Sequence, residues 1–190
     1  VMTSRLAPGG MHGELNIKPD LITLGKYLGG GVSFGGFGGR SDIMEGFNPR
    51  SKDAWRHAGT FNNNIMTMTA GLAGITQLFT PEACIELNKK GDVFRARLNK
   101  IIQEQSLPIQ VTGLGSMNNV HFTDVPMERP HTDPISSRKG DLMHLDMLKS
   151  GVYLARRGMM NLSLPMTDTD IDFAVSAFEE FLDSRRAILK

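Results

Sequence analysis

Lys26 stands at the end of the apolar run Leu-Ile-Thr-Leu-Gly and shortly before three glycines, in LITLGKYLGGG. A lysine so placed reads as a desolvated amine beside open backbone. Burial disfavours the ammonium form because the ion loses its hydration, and a neutral amine attacks a carbonyl carbon, so the chemistry suggested is imine formation. The glycines let the chain turn sharply and let a flat ligand lie against the backbone. A lysine that merely reaches out to water at a strand end accounts for the local pattern equally well.

Two other segments carry groups that bind anions. His57-Ala58-Gly59-Thr60, followed by Phe61 and Asn62 to Asn64, places a hydroxyl and several backbone donors just before a helix, where amides and the helix dipole favour a phosphate. Plain capping by Thr60 or an asparagine is the simpler reading. Arg156-Arg157-Gly158 lies between two expected strands, where a guanidinium fork takes a carboxylate through paired bonds. Arg157, beside the glycine, is the better placed of the two; solvation at the surface is the alternative for both.

Other patterns point away from chemistry. The glycines at 29–31 and 35–39 have neither the GxGxxG nor the GxxxxGK[ST] spacing, which assigns them to turns and close packing. His12, His57, His121, His131 and His144 are scattered, without HExxH or a Cys/His pairing, so no metal site is expected. No GxSxG elbow is present. Met66 and Met68, and Met143 with Met147 at helical spacing, read as core filler.

The elements that must position these residues follow from punctuation and periodicity. Pro19 stops any arriving helix, and Leu21, Ile22 and Leu24 predict a buried strand ending near Lys26. Ser41 and Asp42 offer a cap for a short helix closed by Asn48-Pro49, and a polar loop without periodicity follows. From Ile65 to Phe79 small and apolar residues surround the segment, predicting a helix buried on most sides. Pro81 opens an amphipathic helix to about Gln105, and two strands are expected around Gly113-Leu114-Gly115. Ser137 to Ser150 is expected as helix, Val152 to Ala155 and Met160 to Leu164 as strands, and Asp168 onward as a helix capped by Thr167 or Asp168.

The chain has 190 residues, 40% hydrophobic and 22% charged, and 21 basic against 20 acidic residues leave a net charge of +1. That balance creates no field to draw nucleic acid or an anionic membrane, so small molecules or other subunits are the expected partners. One cysteine, Cys84, makes no internal disulfide, which fits a reducing cytoplasmic setting. No stretch approaches the roughly 18 apolar residues of a membrane span. The chain opens at Val1 without a methionine, on what reads as a strand end, and so is expected to be the later part of something longer.

With VMTSR, PDLITLGKYLGGGVSFGGFGGRSDIM, HAGTFNNNIMTMTAG and RRGMMNLSLPMTDTDID in order, the chain resembles the class III, fold-type I aminotransferases that use pyridoxal 5′-phosphate. The likeness leans toward the β-phenylalanine aminotransferases and the glutamate-1-semialdehyde aminomutases. It implies an α/β fold: residues 1–95 as the later part of a cofactor-binding large domain with a mixed, mostly parallel sheet, and 96–190 as a small α+β domain. The resemblance implies that Lys26 carries the cofactor as a Schiff base and moves a proton, and that Gly59 and Thr60 reach its phosphate from the neighbouring subunit of a homodimer. It further implies that Val1 packs beneath the ring and Arg157 lies near the substrate carboxylate. An amino acid, with an aromatic β-amino acid in view, and a 2-oxo acid would be the substrates, with an aminomutase or an inactive piece as alternatives. The acidic partner of the ring nitrogen is expected just upstream of Val1.

Overall fold

The computed structural model describes residues 1–128 and 134–190; His131 lies outside them. The chain divides into two compact units, Val1–Ile85 and Glu86–Lys190. The division falls in the first turns of one long helix, the helix in which the sequence places the domain boundary at 95–96. Helices and sheets alternate in an α/β arrangement.

In the first unit, β1 (Leu21–Gly25) pairs antiparallel with β2 (Gly35–Gly39), Leu21 opposite Gly39 and Gly25 opposite Gly35. The connection between them is too short for a parallel crossover, so the chain turns back on itself. Glycine builds β2 because a Cβ at Gly39 would collide with the backbone of Asp20 and Leu21. The strand is where the sequence puts it, but it is not buried: Leu21 and Leu24 are exposed, since two strands alone cover neither of their faces. One-turn helices α1 (Met11–Glu14) and α2 (Ser41–Met44) flank the pair. Arg40 occupies the N-cap of α2 in place of Ser41 or Asp42, and Asp42 pairs with its guanidinium instead.

Helix α3 (Ile65–Ala73) and a π-helical turn over Gly74–Leu78 depart most from expectation. Thr67 and Gly71, one helical turn apart, are its buried positions, whereas Ile65 is 77% and Leu72 62% exposed. The reason is steric. A Cβ at Gly71 would overlap the carbonyl oxygen of Leu28, and one at Gly30 that of Ala70, so only the small-residue stripe can face inward and the large side chains turn out. Met66 and Met68 are accordingly exposed, not core.

The second unit is built differently. Helix α4 (Pro81–Glu104) begins before the division and continues through it. It is joined by α5 (Pro134–Lys149), α6 (Asp168–Leu189) and an antiparallel sheet ordered β3 (Gln110–Leu114), β4 (Met117–His121), β5 (Met159–Asn161). The hairpin turn is Gly115-Ser116, two residues later than Gly113-Leu114-Gly115, because Leu114 and Met117 still pair. Val152–Ala155 is not a strand; its Ala155 N–H bonds to Met159 O across a tight turn. Phe178, Leu182 and Leu98 are fully buried, as are Met143 and, to within 1%, Met147. Thr167 caps α6 through a capping box with Asp170. Among the described residues no helix is long and apolar enough to cross a membrane.

Candidate functional site

The strand that carries Lys26 ends in an irregular way. Gly25 is extended, and Lys26 then adopts φ +58°, the left-handed region, at the head of a 3-10 turn over Lys26–Gly29. For a residue with a Cβ that conformation costs about 1–2 kcal/mol, and such strain persists where surrounding structure imposes it. Here the imposition comes from α3. Gly30 at φ +62° lies against the Ala70 carbonyl, and Thr67 Oγ1 donates to Ser33 O at 3.3 Å. The three-glycine run thus seats the turn on a helix.

Lys26 is exposed, contrary to the desolvated amine expected from the sequence, because the β-ribbon beneath it is uncovered. Its ammonium has no hydrogen-bond or ion-pair partner among the described residues. Val1 lies close by: its backbone nitrogen donates to Thr23 O at 2.9 Å, and its Cγ1 is 3.6 Å from the position a Gly25 Cβ would take. The structure therefore brings Val1 and Lys26 to one end of β1. Tyr27 and Ser4, which spacing did not reveal, tie the two segments: Tyr27 Oη donates to Ser4 Oγ at 2.7 Å. Burial pushes the Tyr27 phenol up from its ordinary value, keeping it a donor. A T-shaped contact with Phe79, centroids 5.0 Å apart, fixes the ring.

The loop of Gly59 and Thr60 is anchored by rings, His57 meeting Phe37 at 5.3 Å and Trp55 meeting Phe47 at 5.2 Å. Capping of α3 falls to Asn64, whose Oδ1 accepts from Met66 N at 3.0 Å and Thr67 N at 3.3 Å. Thr60 is left exposed, without a hydrogen-bond partner among the described residues. The Lys26 amine has no partner among the described residues, Val1 lies against Gly25, and a Cβ at Gly31 or Gly35 would meet nothing within 4 Å, so an aldehyde-bearing ring would find an amine and open backbone at this strand end.

In the second unit the two arginines separate by partner. Arg156 makes a paired bond to Asp141, Nε to Oδ1 at 2.6 Å and Nη2 to Oδ2 at 2.9 Å. This pair holds the Asp141 carboxyl below its usual range and raises the Arg156 guanidinium. Arg157 Nη2 meets only the thioether of Met159, at 3.3 Å, a weak acceptor. Its fork is open to an anion. Among the described residues no group of His, Cys, Asp and Glu is gathered to hold a metal.

The family model for class III aminotransferases matches residues 9–182. A β-phenylalanine transaminase of Variovorax paradoxus is 48% identical over all of this chain and 44% of its own length. The crystal structure of a β-phenylalanine aminotransferase from Variovorax paradoxus superposes with a TM-score of 0.93 at 46% identity, over 98% of this chain and 44% of that one. A transaminase solved with PLP bound superposes with a TM-score of 0.86 at 26% identity, over 98% of this chain and 43% of its own. The chain thus spans less than half the length of these relatives, and within that span its glycine-seated lysine turn and open arginine fork lie on a shared fold. It belongs to the class III aminotransferase family.

Proposed function

We propose that the protein of which this chain forms part is a pyridoxal 5′-phosphate-dependent transaminase. It would move an amino group from an amino acid, an aromatic β-amino acid for preference, to a 2-oxo acid. The observation that carries the reading is Lys26: a lysine in left-handed backbone at a strand end, its amine unpartnered, in a family of aminotransferases. When bound, the cofactor supplies an aldehyde that accepts amines and a conjugated ring that stores electrons. Lys26 would hold it through Nζ and, as a free amine, would move a proton at that same atom. Val1 would pack against the ring, and Thr60 with the Gly59 backbone, from the neighbouring subunit, would donate to the phosphate. Arg157 takes the carboxylate of the amino donor. The β-amino preference rests on the 48% identity to the β-phenylalanine enzyme. One buried cysteine, Cys84, fits a reducing cytoplasmic setting.

The partner for Thr60 is proposed to be a second copy of the same protein. Ile65, Met66, Met68 and Leu72 of α3, with Ile75 of the π-helical turn that follows, form an exposed apolar outer face, the kind of surface that chains cover by association. Replacing Leu72 by glutamate is expected to convert a sedimenting dimer to monomer; an unchanged sedimentation coefficient would remove this support.

The catalytic assignment is tested by incubating the complete protein with pyridoxal phosphate, reducing with borohydride and mapping the labelled peptide. Label is expected on Lys26 and none in Lys26→Ala, together with a strict need for a 2-oxo acid in turnover. Label on a different lysine would refute the reading, and turnover without an acceptor would mark an aminomutase instead.

A further inference from the structure

We propose that Asp141 of α5 is a positioning residue for Arg157. By occupying the fork of Arg156, it leaves one guanidinium of the turn to take the substrate carboxylate, held in one place. The inference rests on the reading of Arg157 above and concerns how the turn Ala155–Gly158 selects between two adjacent, chemically identical side chains.

The turn is held on both flanks. Asp141 and His144, three residues apart and so on one face of α5, reach the same short segment. Asp141 takes the Arg156 fork at 2.6 and 2.9 Å, and His144 Nδ1–H donates to Leu154 O at 3.0 Å. On the other flank, Gly158 N donates to Ala155 O at 2.8 Å, closing the turn, and Val120 N of β4 donates to Gly158 O at 3.0 Å. Gly158 adopts φ +84°, and a Cβ there would sit 2.8 Å from Val120 O, so the backbone at this point has no alternative seat. With residues 154, 156 and 158 fastened, Arg157 is the position of the turn whose guanidinium has no oxygen acceptor among the described residues, only the weak thioether of Met159 in β5 at 3.3 Å.

The Asp141–Arg156 pair contributes little as a stabilising contact, since its side chains are 39% and 72% exposed and such pairs are screened by water. Its effect is on position. Without the paired bond the turn loses its tie to α5, and the neighbouring Arg157 fork is no longer held in one place. Paired recognition of a carboxylate loses strength steeply with such misplacement.

The test uses the complete protein loaded with pyridoxal phosphate and reads binding of 3-phenylpropanoate from the visible band of the bound cofactor, with neutral 3-phenylpropanamide as control. Arg157→Ala is expected to weaken propanoate binding by about 30-fold or more, and Asp141→Asn by about 10-fold, with Asp141→Glu restoring most of it. Propanamide binding and cofactor retention should stay unchanged in all of them. Arg156→Lys keeps the charge but lacks the fork, and its expected loss of about threefold carries the test if Asp141→Asn does not fold. An Asp141→Asn protein within about twofold of wild type, beside an impaired Arg157→Ala, overturns the positioning role and leaves the Arg157 reading standing. Equal weakening of propanoate and propanamide also overturns it, as a purely structural effect. An Arg157→Ala protein that binds normally, or a wild type that does not bind propanoate, removes the reading beneath the proposal and the proposal with it.

Discussion

Lys26 joins two properties in one residue: a side-chain amine without a partner among the described residues and a backbone angle that favours glycine. At φ +58° its Cβ crowds the following carbonyl, and the turn over Gly29 to Gly31, fastened to Ala70 and Gly71, holds it there. The protein is accordingly less stable than it would be with glycine at this position. In chemical denaturation of the complete protein, Lys26→Gly should be more stable than Lys26→Ala by about 1 kcal/mol, although glycine usually lowers stability. Equal stabilities, or the reverse order, would show that the angle carries no strain. The comparison needs no cofactor and separates the cost of the conformation from the loss of the amine.

At the scale of elements, α4 shows how a polar face can be structural. Asn88, Asp92, Arg95 and Asn99, spaced four, three and four residues apart, lie along one face that in sequence resembles a solvated one. In the fold that face grips the β3–β4 hairpin. Asn88 Oδ1 accepts from Ser116 N at 2.8 Å and Asp92 Oδ1 from Gly115 N at 2.9 Å. Arg95 donates to Asn118 at 3.1 Å, and Asn99 takes both backbone groups of Val111, each at 2.9 Å. Helix α4 thereby satisfies both backbone groups of Val111 at the outer edge of β3, which would otherwise be open for pairing with another chain. Asn99→Ala leaves two backbone groups unsatisfied and should cost about 2 kcal/mol in urea unfolding. Arg97→Ala loses only the exposed pair to Asp172, at 2.7 Å, and should cost about 0.5 kcal/mol or less. If the two losses are alike, the Asn99 bonds do not hold the sheet.

Across the whole molecule the two units differ in how they are held. Among the described residues Ala7 and Cys84 are the buried apolar side chains of the first unit, whereas the second buries apolar residues from three helices and a sheet. The first instead combines close backbone contacts at glycines with edge-to-face ring contacts such as Tyr27–Phe79 and Phe37–Phe47, and several of its large apolar residues are exposed. The titratable groups of the second unit set a pH dependence. Bonds from Arg185 and Thr167 lower Asp146 and Asp170, and burial lowers His121. In each case the unfolded chain binds the proton more readily, so the stability is complete at high pH and lost on acidification. The loss begins near the ordinary histidine value of 6.5 and continues through and below the ordinary aspartate value of 3.8. Thermal melting of the complete protein should show a falling midpoint over this range, and His121→Gln should flatten its upper part. A midpoint that rises on acidification would contradict the assignment.

The sequence by itself determined what depends on neighbours within a helical turn or two. Pro81 at the head of α4, the Thr167–Asp170 box at the head of α6, the spacing that buries Met143 and Met147, and the strand leading to Lys26 were all legible there. So was the family, through several motifs in order. Only the tertiary structure decided which way α3 faces, that Lys26 is exposed, and that Asp141 claims Arg156 rather than Arg157. These depend on which elements meet. Periodicity reports that a helix has an apolar side but not whether a glycine-lined turn will admit only its small residues. Likewise, two adjacent arginines are equivalent until a carboxylate 15 residues away takes the fork of one of them.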